Sequence, residues 1–198
     1  MLAAAILAAG ESRRMGSPKA LISIHGKTFV QHLLDATHHP RIGLTRIVLG
    51  ADAEDIRSHL SIARELIVIN DEWEKGQLSS IQAAIRSLPD AGTEGLILCP
   101  VDHPLISADL VANLIAQFDS SRKRIVLPTF RGRRGHPVIF HSDLFSELLH
   151  ASPDIGARQI VWAHESDVLE LATEEEGVIL NLNNPESLRN AQEKKTAH

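Results

Sequence analysis

The strongest constraint on the fold is an alternation between two kinds of segment. Short runs that are apolar on successive residues cover 3–8, 46–49, 66–69, 96–99 and 125–127. A strand buried on both faces reads this way, whereas a strand with one wet face alternates apolar and polar residues. Between the runs, apolar residues recur at helical spacing. Phe29, Val30, Leu33 and Leu34 form one stripe, and Ile56 and Leu60 a second. Leu78, Ile81, Ala84, Ile85 and Leu88 form a third, and Leu110, Leu114, Ile115 and Phe118 a fourth, with Ser107 placed as its N-cap. Strands alternating with helices predict a three-layer α/β/α architecture around a mostly parallel sheet, with right-handed crossovers.

The pattern changes at Phe130. Arg131-Gly132-Arg133-Arg134-Gly135 is a basic, glycine-punctuated loop, read as a hairpin or excursion, and it leads into His136-Pro137-Val138-Ile139-Phe140. Helical stretches are expected over 142–150 and 156–164, and strands that rejoin the sheet over 168–171 and 178–182. A last helix opens at Asn184-Pro185-Glu186, with proline in its first turn. The polar tail 192–198 is expected to fray. No repeat, low-complexity linker or boundary interrupts residues 1–198, so a single domain is expected.

Composition removes several function classes. The formal net charge is −5 and no basic run dominates, which argues against a nucleic-acid partner, since that needs a basic footprint. No apolar run approaches the ~18 residues that span a bilayer. The opening MLAAAILAAG lacks a positive n-region and is read as a first strand rather than a leader. The single cysteine, Cys99, excludes an internal disulfide and a cysteine-based zinc site, and inside an apolar run it reads as a small buried hydrophobe. A cytoplasmic location without membrane association is expected. His38-His39-Pro40 shows no ligand spacing, and Glu174-Glu175-Glu176 reads as a solvated turn.

Ligands of such sheets bind where loops leave the carboxyl ends of the strands. Weight therefore falls on 9–19, 70–77 and 100–104. In the first, Leu7-Ala8-Ala9-Gly10 brings small residues that admit close backbone approach, and Arg14 and Lys19 supply cationic donors for phosphate. The dinucleotide fingerprint Gly-x-Gly-x-x-Gly is absent, and the spacing from Gly10 to Gly16 and Lys19 is not that of a P-loop. A surface loop with solvated Arg and Lys is the plainer reading. Ser79 and Ser80 open a helix after a strand and point hydroxyls at a cleft, or simply cap that helix. Asp102 follows a buried run, where a carboxylate binds Mg²⁺ or shapes the turn before Pro104.

The segment from Leu7 to Lys19 resembles the N-terminal signature of the nucleotidyltransferases with a glycosyltransferase-A-like fold. It is most similar to the branch containing molybdenum cofactor cytidylyltransferase. The pattern Leu-Ala-Ala-Gly-x-Ser-x-Arg-Met-Gly-x-x-Lys is matched at every specified position. The guanylyl branch has glycine where Ala9 stands and aspartate where Pro18 stands, so the resemblance leans to CTP over GTP as substrate. It implies a Rossmann-like nucleotide-diphospho-sugar transferase architecture, with Leu7, Ala8, Ala9, Gly10, Arg14 and Lys19 at the triphosphate.

Asn70-Asp71-Glu72-Trp73-Glu74-Lys75-Gly76-Gln77-Leu78-Ser79-Ser80-Ile81 resembles Asn-x-x-Trp-x-x-Gly-x-x-Ser-Ser-Leu, which implies that Asn70, Ser79 and Ser80 lie near base and sugar. Asp102-His103-Pro104 fits the family's Asp-x-Pro. Gly135-His136-Pro137 fits its acceptor-facing Gly-His-Pro. Asp154-Ile155-Gly156-Ala157-Arg158 resembles Gly-Asp-x-Gly-Ala-Arg with Pro153 in place of the first glycine, which implies acceptor contacts for Arg158. Asn181-Leu182-Asn183-Asn184-Pro185-Glu186 stands where the cytidylyl branch has Asp-x-Asp-Thr-Pro-Glu. Both aspartates are asparagine here, and Asn183 becomes a second metal ligand beside Asp102.

The implied chemistry is nucleotidyl transfer, with Mg²⁺ or Mn²⁺, from a nucleoside triphosphate to molybdopterin. Pyrophosphate is released, and a molybdoenzyme is the partner for the product. The rivals are a guanylyltransferase, a sugar- or alcohol-phosphate nucleotidyltransferase, a non-catalytic nucleotide or cofactor chaperone, and a nicotinamide-dependent oxidoreductase.

Overall fold

The structure is a computed structural model that describes residues 1–89, 91–152 and 156–194. In chain order β1 (Leu2–Ala8) runs through a loop to the hairpin β2 (Ser23–Ile24) and β3 (Lys27–Thr28), then α1 (Phe29–Ala36), β4 (Ile42–Leu49), α2 (Ala53–His59) and β5 (Ile67–Ile69). There follow α3 (Gln77–Arg86), β6 (Gly95–Pro100), α4 (Ala108–Ser120), β7 (Ile125–Phe130), β8 (Arg133–Arg134) and β9 (Val138–His141). The chain closes with α5 (Phe145–His150), α6 (Ala157–Ala163), β10 (Val168–Ala172) and α7 (Pro185–Lys194).

The main sheet has the order β10-β7-β9-β6-β1-β4-β5, with β8 paired to β7. β1 lies at its centre, parallel to β4 on one side and β6 on the other, and all seven of its residues are buried. Successive side chains of a strand point to opposite faces. Accordingly Leu2, Ala4, Ile6 and Ala8 pack with Phe29, Leu33 and Leu114 of α1 and α4. Ala3, Ala5 and Leu7 pack on the other face with Ile81 of α3, Leu148 of α5 and Ile160 of α6. This is the three-layer arrangement that the alternation predicts. The predicted cap at Ser107 is in place, and α1 has a capping box that was not singled out in the sequence. Ser107 Oγ accepts from Leu110 N at 3.0 Å, and Thr28 with Gln31 forms a capping box at α1.

β9 departs from the parallel pattern and runs antiparallel to both β6 and β7. A parallel return needs a crossover of a dozen or more residues, and only the short β8 excursion separates β7 from β9. The strand expected over 178–182 does not form. Glu176–Val178 is a 3-10 turn, and Ile179 N and Leu180 N bond back to Glu176 O at 3.0 and 3.1 Å. The apolar letters there mark burial instead: Val178 and Leu182 are core residues. Within 142–150, Ser142–Leu144 is a 3-10 turn that leads into α5. α7 carries helix into the tail that was expected to fray, and residues 195–198 of that tail lie outside the described residues, as do Pro153, Asp154 and Ile155. Among the described residues no helix is long and apolar enough to cross a membrane.

The carboxyl ends of β1, β4 and β6 open onto one edge, and packing there is tight. Ala51 N donates to Ala9 O at 3.0 Å, and a Cβ at Gly50 would stand 2.6 Å from Ala9 O and 2.6 Å from Trp73 Cβ. Neither is the far end of a flexible side chain. Gly50→Ala should therefore lower stability by about 1–3 kcal/mol, as overpacking does, measured by urea unfolding. An unchanged midpoint would show that the loop after β1 yields freely.

Candidate functional site

Two cavities meet at the carboxyl edge of the sheet. The first, of about 210 Å³, is walled by Leu7, Ala9, Gly10, Lys19, Trp73, Gly76, Ser80 and Asp102, among others. The second, of about 360 Å³, contains His136, Arg158 and Trp162 over walls that include Ile81, Leu98, Val138 and Phe140. Leu7, Gln77 and Pro100 line both, so one wall separates the two spaces.

The loop after β1 is built to hold Lys19. Ser12 is buried, its Oγ accepts from Lys19 N at 2.9 Å, and its carbonyl accepts from Met15 N at 2.8 Å. Gly16 has a φ of 73° and allows the reversal that returns the chain to Lys19. The Lys19 ammonium donates to Asn183 Oδ1 and lies 3.8 Å from Asp102 Oδ2. Burial lowers the Lys19 pKa, the Asp102 carboxylate opposes that shift, and the Arg14 charge adds to it.

The segment after the 3-10 turn Glu176–Val178 clamps the end of β6. Asn181 Nδ2 donates to Asp102 Oδ2 at 2.8 Å, and Leu182 N donates to Asp102 O at 2.8 Å. Asp102, from mid-chain, and Asn183, from near the end of the chain, thus converge on one ammonium.

Asn70 organises the start of α3 from behind. Its amide donates to Ser79 Oγ at 2.8 Å and Ser80 Oγ at 3.0 Å, and its Oδ1 accepts from Glu72 N at 3.0 Å. Ser80 lines the first cavity, whereas Asn70 and Ser79 are buried in support, with Ser79 Oγ also donating to Gly76 O at 2.8 Å. Gly76, at a φ of 95°, precedes α3 without a side-chain cap, so the helix presents its N-terminus to the cavity wall.

Two imidazoles pair beside Asp102, and one of them, His136, lines the second cavity. The His103 and His136 rings lie 4.9 Å apart, and the Nδ1 of each is buried without a partner. His103 Nε2 lies 3.9 Å from Asp102 Oδ1. Burial, and then the neighbouring His103, push the His136 imidazole down to about 4, and burial also lowers His103 against the pull of Asp102. His136 is therefore neutral at pH 7. Its backbone N–H donates to Val178 O at 2.8 Å.

Most residues singled out in the sequence come together at these cavities. Leu7, Ala9, Gly10, Lys19, Ser80 and Asp102 line the first, and Leu7, His136 and Arg158 line the second. Ala8 lines neither cavity and is buried in the core on the α1 and α4 face, and Asn183 reaches the first cavity through Lys19. Arg14 is exposed and lines neither cavity; its effect here is through its charge on Lys19. His103, Asn181 and Trp162 were not singled out. The helical spacing of Trp162 from Arg158 was a legible signal, but the bonds of Asn181 and the pairing of His103 with His136 are tertiary.

Among the described residues no group of three or more His, Cys, Asp or Glu side chains forms a metal cage. The Asp102 carboxylate and Asn183 carbonyl are nonetheless hard oxygen donors of the kind Mg²⁺ and Mn²⁺ accept, with substrate phosphates and water supplying the other ligands.

Comparison with known proteins places this geometry. The chain is 31 % identical over 131 residues to the bifunctional protein GlmU of Mycobacterium avium, and there it spans 63 % of this chain and 27 % of the length of the relative. It is 32 % identical over 169 residues to nicotine blue oxidoreductase of Paenarthrobacter nicotinovorans, covering 77 % of this chain and 78 % of that protein. It is 29 % identical over 196 residues to a molybdenum cofactor guanylyltransferase of Cereibacter sphaeroides, covering 94 % and 93 %. The fold matches the crystal structure of Rv0371c from Mycobacterium tuberculosis with a TM-score of 0.85 at 24 % identity, over 97 % of each chain. A manganese complex of that protein matches with a TM-score of 0.81 at 22 % identity, over 97 % of this chain and 98 % of that one. The family model described as MobA-like NTP transferase domain matches residues 4–168, a span that holds every lining residue of both cavities, and the chain belongs to that family.

Proposed function

We propose that the protein transfers a nucleotidyl group from a nucleoside triphosphate to a small phosphorylated acceptor. Guanylyl transfer to molybdopterin is the best supported form. The observation that carries this reading is the seam. A cavity with a cationic lysine and two oxygen donors shares one wall with a larger cavity that offers an arginine and a neutral histidine.

In this reaction an acceptor phosphate oxygen attacks the α-phosphorus in line. The new O–P bond forms as the bond from the α-phosphorus to the bridging oxygen breaks, and pyrophosphate leaves with the electron pair. A terminal phosphate has its second pKa near 6, so it arrives largely dianionic and needs no protein base. The protein's work is positioning and charge stabilisation. The backbone at Leu7, Ala8, Ala9 and Gly10 carries the triphosphate, and Asn70 with Ser79 and Ser80 sets the α3 edge beside sugar and base. Lys19 stabilises the charge that develops on pyrophosphate, and Arg14, which the resemblance assigns to the same role, would have to turn in from solvent to share it. Asp102 and Asn183 would hold Mg²⁺ or Mn²⁺, which when bound supplies charge neutralisation at the phosphates. Rv0371c, whose fold this chain shares, has been solved as a manganese complex, which supports the use of a divalent metal without naming its ligands. His136 and Arg158 face the acceptor. A molybdoenzyme receiving the finished cofactor is the implied partner, and the cytoplasm the implied location.

The expected CTP preference stands on Ala9 and Pro18. The molybdenum cofactor relatives are named guanylyltransferases, which favours GTP. CTP is retained as the second reading because of those two residues.

Pyrophosphate release from GTP with molybdopterin and Mg²⁺ tests the reaction directly. Lys19→Ala and Asp102→Ala should each lose about a hundredfold or more in turnover, the scale of removing a preorganised charge, with unchanged circular dichroism. A fully active Asp102→Ala protein would remove the assigned metal site. The Lys19 ammonium also holds the place between Asp102 and Asn183 and repels a cation there. In water a unit charge about 4 Å from a divalent cation is worth about 2 kcal/mol, so Lys19→Met should tighten Mn²⁺ binding to the nucleotide-free protein about thirtyfold. Paramagnetic resonance titration measures it, and weaker binding in the variant would show that Lys19 and the metal do not share this site.

A further inference from the structure

We infer that His103 is a positioning residue, whose ring holds the His136 imidazole so that a hydrogen-bond donor, Nε2–H, faces the second cavity. Its value to the reaction rests on the reading that this cavity receives the acceptor; its hold on His136 does not. His103 lines neither cavity, yet it stands against one residue of each. Its Nε2 lies 3.9 Å from Oδ1 of Asp102, and its ring lies 4.9 Å from that of His136 at a tilt of 53°.

The His103 ring has little freedom. It is 8 % exposed, its backbone N–H donates to Pro100 O at 3.1 Å, and Pro104 restricts the backbone before it. The ring bonds to the backbone of Gly177. Gly177 is pressed against the turn that follows His103, since a Cβ there would stand 2.1 Å from Leu105 O. His103 Nδ1 is buried without a partner, so Nε2 makes the bond and donates to the Gly177 carbonyl.

His136 is anchored through its backbone. Its N–H donates to Val178 O at 2.8 Å, and a Cβ at Gly135 would stand 2.4 Å from the same oxygen. The terminal torsion of histidine is broad and roughly two-fold, so the ring can turn over and exchange Nδ1 for Nε2 unless packing forbids it. The aromatic ring packed against it is His103. A neutral imidazole has one donor and one acceptor nitrogen, so the nitrogen that faces the cavity decides what His136 offers. His136 Nδ1 is buried without a partner. A buried N–H left unpaired is rarer than an unpaired acceptor, which puts the proton on Nε2 and makes His136 a donor suited to an anionic oxygen. Because Nδ1 of each ring is unpartnered, no hydrogen bond joins the two rings there. Their contact is packing, which a phenyl ring can replace.

Long-range nitrogen–proton NMR at pH 7 reads the tautomer of each histidine, with His136 assigned from its loss in His136→Gln. The wild type should show His136 as a single Nε2–H tautomer. His103→Ala should show both tautomers, and His103→Phe should restore the single one. Both variants lose the bond to Gly177, so both should melt earlier, and a purely structural role would not separate them. In pyrophosphate release from GTP with molybdopterin and Mg²⁺, His103→Ala should raise the acceptor KM about tenfold, the scale of a hydrogen bond to a charged group. The KM for GTP should stay as in the wild type, and His103→Phe should recover the acceptor KM. An Nδ1–H tautomer of His136 in the wild type, or a single tautomer in His103→Ala, would overturn the proposal. So would mixed tautomers in folded His103→Phe, which carries the test should the alanine variant fail to fold. Absence of pyrophosphate release from the wild type, with the expected tautomers present, would instead overturn nucleotidyl transfer and leave the hold of His103 on His136 standing.

Discussion

The ammonium of Lys19 ties together three segments that are distant in sequence. The loop after β1 carries it, Asp102 at the end of β6 attracts it, and Asn183 near the start of α7 accepts its hydrogen bond across a separation of 164 residues. A buried charge is costly unless paired, so this lysine fixes the other two elements where they can neutralise it. Burial lowers its pKa, and Asp102 works against that shift. Asn181 and Leu182 then hold Asp102 from the opposite side, and His136 is held by Val178 in the same segment. A short stretch without regular structure therefore fixes both cavities at once.

The same arrangement explains what could be read in advance. Strands buried on both faces leave continuous apolar runs, and β1, β4, β6 and β7 were legible for that reason. β9 was not, because it follows Pro137 directly and its direction is set by the brevity of the β8 excursion. The run 178–182 misled because apolar residues mark burial whatever the backbone does. In the site, Lys19, Asp102 and Ser80 were legible from residue type beside strand ends, while His136 and Arg158 were implied only by the family resemblance. Arg14, although part of the signature, stays in solvent. Asn181 was noticed only as a departure from the family pattern, while its bond to Asp102 spans 79 residues and leaves no local trace.

A shared scaffold does not fix a substrate. The first cavity is formed mainly by backbone, small residues and the Lys19 cluster, which suits a triphosphate of any base. In the proposed reading Ala9 and Pro18 bear on the choice of base, yet they sit in a loop whose proposed phosphate contacts would need little more than small residues and a cation. The second cavity differs in kind. Its floor comes from β6, β7 and β9, and its rim from α6, so in the proposed reading acceptor preference would be carried by elements that can change without disturbing Lys19, Asp102 or Asn183.

The most direct measurement is calorimetric titration of the protein with GTP, CTP, ATP and NADH, each with and without Mg²⁺. The account predicts metal-dependent binding of GTP above the other nucleotides, lost when Asp102 is replaced by alanine. Binding of NADH, or of no triphosphate in the presence of metal, would contradict it.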